Sequence, residues 1–234
     1  MAEKGRTSPW LWIGCGCVLA ILAIVAVIAG VAFFAFRSVR GLAESVKDPT
    51  ARTERVTDIL GTEELPEGYH PVIGFGIPLV GEVVVLAANE PDANGQLREF
   101  GDHGFAYVKL TGFLGRTKRQ ELRDWVTGRG RQPDIRIQSQ FHVDADAVLK
   151  RGEMEIEGGS LFYTVYRGTL EEDSAAGLAN AMVLDCPDGS GGFGMWFARD
   201  PADGQDRGDD ALAGTPGDES AVREFLAHFD LCPN

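Results

Sequence analysis

Histidine and cysteine are scarce in this chain: 234 residues hold four of each. Two of the cysteines, Cys15 and Cys17, sit together near the N-terminus, and beyond them only Cys186 and Cys232 occur. Scattered histidines give little to build a zinc cluster or a nucleophilic triad, which need several such residues at defined spacings. Positive charge is short as well. Residues 1–55 carry 7 Lys+Arg against 4 Asp+Glu, net +3, whereas residues 56–234 carry 15 against 31, net −16. A field of that sign repels nucleic acid, so no nucleic-acid partner is expected. The third lack is local. From Trp10 to Phe36 there are 27 residues without a single charge.

That run is rich in Ile, Val, Leu, Ala and Phe and predicts a transmembrane helix over 10–36. As a helix it is about 40 Å long, enough to cross a hydrocarbon core of about 30 Å with some tilt. A cleaved secretory signal fits poorly, because the run is about twice the usual apolar length and Arg37 and Arg40 follow it in place of a small-x-small cleavage site. A lipoprotein reading fails because Cys15 and Cys17 begin the run rather than follow it. They read as inert small residues, with palmitoylation as the alternative. Ala26 and Gly30 form a small-xxx-small pair of the kind that brings helices together in a bilayer.

Lys4, Arg6 and the terminal amine on one side nearly balance Arg37, Arg40 and Lys47 on the other, so the positive-inside rule alone does not orient the chain. The long acidic domain, which translocates readily, and the even pair Cys186 and Cys232, suited to one disulfide in an oxidising compartment, favour an extracytoplasmic C-terminal domain. The expected organisation is a basic tail over 1–9, the span over 10–36, a juxtamembrane helical stalk over 37–64 and an α+β domain over 65–234. The lipid bilayer is the expected partner of residues 10–36, with an envelope protein of unidentified kind as partner of the domain.

Asp48-Pro49 reads as a cap and first-turn proline for a helix ending at Leu60 before Gly61, with Val56, Ile59 and Leu60 as its apolar stripe and a stalk or docking role. Leu65-Pro66-Glu67-Gly68-Tyr69 is turn chemistry. Strand patterns follow over Val72 to Ile77 and Glu82 to Ala88, joined as a hairpin, and over Phe105 to Phe113. Thr117 and Gln120 read as a capping box opening a helix with Leu122, Trp125 and Val126 on its apolar side and Gly128 as its stop. Further strands are expected at Ile135 to Val143, Met154 to Ile156, Leu161 to Leu170, Ala179 to Cys186 and Phe193 to Ala198. A closing helix after Thr215-Pro216 carries Val222, Phe225, Leu226 and Phe229. The fold class expected is α+β: a mainly antiparallel sheet of about seven strands packed by two helices. A Cys186–Cys232 bridge would tie the closing helix to the sheet, and its loop of about 46 residues is worth on the order of 3 to 4 kcal/mol.

In this pattern the chain resembles the PsbP-like class of small α/β/α sandwiches: the Leu65 to Tyr69 entry, a sheet interrupted by one helix, and a C-terminal helix bearing Val222, Phe225 and Phe229. Its start, Trp10 to Cys17, also resembles that of many bacterial single-pass membrane-anchored proteins of uncharacterised role. The first resemblance implies a non-catalytic accessory or binding function and carries over no functional residue.

Several stretches imitate chemistry. Gly189-Ser190-Gly191-Gly192-Phe193-Gly194 satisfies G-x-G-x-x-G, yet a strand follows where dinucleotide binding needs a helix N-terminus, so a hairpin turn is expected. Cys186 to Gly192 is similar to the nucleophile region of trypsin-like proteases, but Asp188 and Gly189 stand in the wrong order and no suitable His and Asp motifs precede them. His142, Asp144 and Asp146 alternate on one strand face and are the candidate metal ligands, against a solvated face as the simpler reading. Asp200, Asp203, Asp206, Asp209 and Asp210 suggest calcium by composition but lack the EF-hand order. His70, His103 and His228 read as surface or packed residues. Arg116, Lys118, Arg119 and Arg123, with Arg129, Arg131 and Arg136 nearby, form the local basic exception and are the candidate interaction face for anionic headgroups or an acidic partner. No cofactor is expected. The functional expectation is a non-catalytic, membrane-anchored accessory or binding module of the bacterial envelope, with a membrane-tethered hydrolase or a small-molecule or lipid carrier as alternatives.

Overall fold

The computed structural model describes residues 48–77, 81–92, 95–99, 101–130, 141–142, 148–170, 175–201 and 212–232. Among these, no helix is long and apolar enough to cross a membrane. The run Trp10–Phe36 lies outside them, as do residues 37–47 of the expected stalk. The order is α1 (Pro49–Leu60), β1 (His70–Ile77), β2 (Gly81–Ala87), β3 (His103–Leu110), α2 (Gly112–Val126), β4 (Phe141–His142), β5 (Val148–Ile156), β6 (Gly159–Leu170), β7 (Ala175–Asp185), β8 (Gly191–Arg199) and α3 (Glu219–Leu226). The class is α+β. Seven strands run β1-β2-β3-β8-β7-β6-β4, an eighth, β5, also pairs β6, and every pairing is antiparallel.

Alternation along the strands sends residues to two separate cores. Val84, Leu86, Phe105, Tyr107, Met154, Leu161, Tyr163, Met182, Leu184 and Trp196 face one way, beneath Val56, Ile59 and Leu60 of α1 and Val222, Phe225 and Leu226 of α3. Phe162, Tyr166, Ala181, Val183 and Phe193 face the other way, beneath Leu122 and Val126 of α2.

The helix expected as a stalk or docking element is docked, and it raises the number of packing helices from two to three. The Asp48 side chain caps it by accepting from Thr50 N at 2.9 Å, and Gly61 ends it in the left-handed conformation. Val56 and Leu60 are fully buried, each worth roughly 1.5–3 kcal/mol by transfer from water. Close approach to the sheet requires Gly74, where a Cβ would lie 2.7 Å from Val56 Cγ2.

The strand expected to run to Phe113 ends at Leu110, the one expected at Met154 begins at Val148, and two helix starts differ from the sequence pattern. Helix α2 begins at Gly112, with Thr111 rather than Thr117 at its N-cap. Gly112 and Gly115, poor helix formers, hide this start; a Cβ on Gly115 would sit 2.8 Å from the Leu110 backbone, so glycine lets the first turn fold directly off β3. Helix α3 begins at Glu219 rather than at Thr215-Pro216, because Asp218 is its cap, accepting from Ser220 N and also holding Gly214 N. Phe229 remains buried just beyond the helix. Cys186, on the buried face with Met182 and Leu184, lies at bonding distance from Cys232.

Candidate interaction surface

The basic residues of α2 divide. Arg119, Leu122, Arg123 and Val126 follow the i, i+3, i+4, i+7 spacing of the sheet-facing stripe, so Arg119 and Arg123 point inward while Arg116 and Lys118 stay exposed. Arg119 donates from Nε to Asp185 Oδ1 at 2.8 Å and from a terminal nitrogen to the Gly189 carbonyl at 2.7 Å. Arg123 reaches Asp185 Oδ2 at 2.9 Å and lays its guanidinium 3.9 Å from the Phe162 ring centroid. One carboxylate thus bridges two arginines at the end of β7 and pins α2 to the β7–β8 turn. Among the described residues Lys118 pairs with Glu121, one helical turn away. Asp185 was the residue that pattern reading missed; the arginines' spacing with Leu122 and Val126 was the signal that they look inward.

A second polar knot holds α3. The Tyr163 hydroxyl donates to Glu219 Oε1, and Lys150 Nζ reaches the same oxygen at 2.8 Å. Lys150 and then Tyr163 hold the Glu219 carboxyl below the usual glutamate range. Burial, and next the glutamate, push the Tyr163 phenol up to about 12. Tyr163 reaches this far because it crosses over Gly152 on the paired strand. A third tie uses the Leu65 to Tyr69 entry: Trp196 Nε1–H donates to the Tyr69 hydroxyl at 2.7 Å, and both rings pack on Phe225, with Trp196 stacked at 4.5 Å. Burial raises the Tyr69 phenol to about 12. Thr164, fully buried, donates to the Val126 carbonyl and fastens the end of α2.

The remaining candidates are placed plainly. His142 lies in the two-residue strand β4; its side chain, with Asp144 and Asp146, falls outside the described residues. Among the described residues no three His, Cys, Asp or Glu side chains come together as metal ligands. Asp200 is buried and paired with Arg167 at 2.9 Å, and the other four aspartates of the calcium-like run fall outside the described residues. Gly189 to Gly194 form the β7–β8 turn and the start of β8, as a hairpin. His103 donates to the Gly68 carbonyl at 3.1 Å, and His228 Nδ1 lies 3.1 Å from the Glu224 carbonyl.

What these ties leave over is at the sheet's margins. Strand β5, at one margin, carries Lys150, Arg151, Glu153 and Glu155, charges of the kind that discourage another strand from adding. Strand β1, at the other margin, pairs only with β2 among the described residues. Pro71 and a register shift at Val72 break its start, but Ile73 to Ile77 carries no charge and no proline. On the face opposite α1, Ile73 lies across from Val85 and Phe75 across from Val83. These four side chains are half-buried and belong to neither core. An unpaired backbone edge beside an apolar sheet surface can accept an extended chain. Compared with protein-family models, with curated proteins and with solved structures, the chain matches none.

Proposed function

We propose that the chain is a single-pass membrane protein whose α+β domain works by binding, as an accessory module of an envelope assembly, with the domain on the extracytoplasmic side. The observation that carries this reading is the uncharged run Trp10–Phe36, followed after 11 intervening residues by a packed domain that starts at its capping residue Asp48. The Cys186–Cys232 pair supports the oxidising compartment. The binding role is supported by the distribution of polar groups: Arg119, Arg123, Asp185, Tyr163 and Glu219 hold helices to the sheet, while among the described residues the outer edge of β1 pairs with no strand.

A topology reporter fused after Asn234 tests the compartment. Periplasmic alkaline phosphatase activity, with Cys186 and Cys232 resistant to alkylation in intact cells, is the expected result. Cytosolic reporter activity, or a mature chain that begins beyond Phe36, would overturn it.

A further inference from the structure

The two margins of one sheet are built differently, and the difference selects a partner. From Ile73 to Ile77 the outer edge of β1 presents backbone N–H and C=O groups that no described strand satisfies. An extended chain can satisfy a row of such groups in register, in exchange for the water that solvates an exposed edge. Alternation fixes what that chain needs on one face: apolar side chains at every second position, to continue the surface of Ile73, Phe75, Val83 and Val85.

Charge then narrows the choice. Residues 48–87, which comprise α1, β1, β2 and their connections, hold seven acids and two arginines. Both arginines are engaged: Arg52 is buried, and Arg55 lies 3.1 Å from Asp58 and 2.8 Å from Glu82. Glu54, Glu63, Glu64 and Glu67 are exposed, the last only three residues before β1. A second copy of this chain would bring like charge against like, at net −16 for residues 56–234 of each copy.

We propose that β1 accepts, as an added antiparallel or parallel strand, a basic extended segment of a partner protein in which apolar and cationic residues alternate. This rests on the binding-module reading but not on the compartment: failure of the topology test leaves strand addition standing, and failure of strand addition leaves the anchor standing.

The test uses the full chain in detergent micelles and a fluorescent synthetic heptapeptide alternating lysine with valine. Three controls accompany it: glutamate in place of lysine, the same composition with the lysines grouped together, and N-methylation of alternate amides. The alternating cationic peptide is expected to bind at least about tenfold more tightly than each control, to weaken with added salt, and to slow amide exchange at Gly74 to Ile77. Phe75→Lys and Val83→Lys, each placing a cation against the peptide, should each weaken binding about tenfold, while Leu149→Lys on the charged margin should leave it unchanged. If one β1–β2 variant fails to fold, the other and the exchange pattern decide. Equal binding of the glutamate peptide, binding lost through Leu149→Lys alone, no binding at all, or a stable dimer that protects the β1 amides without peptide would each overturn the proposal.

Discussion

The half of the sheet built from β5 to β8 and the half built from β1 to β3 follow the same antiparallel rules and end in opposite conditions. The first is covered on both faces, by α3 on one and α2 on the other, and its helices are fastened by Asp185, by Tyr163 with Glu219, and by the Cys186–Cys232 pair. The second is covered by α1 on one face, while Ile73, Phe75, Val83 and Val85 on the other join no core. The charged margin and the tied helices belong to the first half; the uncharged margin belongs to the second. The contrast separates two tasks. Burial and internal pairing hold the domain together in one region, and in the other four half-buried apolar side chains stand outside both cores of the described residues.

The strongest way to break this contrast is to remove a ring from each half. Phe225→Ala removes the ring against which Tyr69, Phe105, Trp196 and Phe229 pack, and should cost about 3–5 kcal/mol in urea unfolding. Phe75→Ala should cost about 1 kcal/mol or less; equal costs would erase the asymmetry.

Next in size is the pair of cysteines. Cys186→Ser combined with Cys232→Ser should lower stability by on the order of 3 to 4 kcal/mol, and the double variant should unfold identically with and without reductant. A wild-type chain already insensitive to reductant would show that the two thiols are not joined in solution.

Asp185→Asn weakens both arginine pairs and leaves Arg119, 10% exposed at its side chain, without a charged partner. It should cost about 1–3 kcal/mol, whereas reversing Arg116 and Lys118, exposed on the same helix, should change stability by about 0.5 kcal/mol or less. Unchanged liposome binding after that reversal would remove lipid headgroups as the target of the exposed pair.

Acid sharpens the picture at α3. The Glu219 carboxyl is held below its usual range, so the folded state keeps it ionised longer than the unfolded state does. Stability from this group is present above the ordinary glutamate value of about 4.3 and is lost as pH falls through the lower folded value. The melting temperatures of wild type and Glu219→Gln should therefore differ at neutral pH and converge once the pH falls below the depressed folded value. A difference that persists into stronger acid would mean that the variant acts through packing and not through charge.

Much of this could be read along the chain because its signals are local. Asp48-Pro49 and Gly61 bracket α1, and the spacing of Val222, Phe225 and Leu226 marks the face of α3, since caps and periodicity need only neighbours. The start of α2 could not be read that way. Gly112 and Gly115 weaken the helical signal, and their reason for being glycine, the close passage of Leu110, comes from a different element. The inward turn of Arg119 and Arg123 was half legible, in their spacing with Leu122 and Val126. Their charge argued for water, and only Asp185, 62 residues beyond Arg123, reversed that.

By itself, then, the sequence determined the uncharged N-terminal run, the acidic balance of the domain, the alternation that makes an antiparallel sheet and the two distal cysteines, because each depends on composition or short-range pattern. Tertiary structure decided which strand ends at a margin, which arginines lie inside, which tyrosine meets which glutamate and which apolar side chains are left outside both cores. Those outcomes depend on pairings between residues far apart in the chain, where the same side chain is buried or bare according to what arrives beside it.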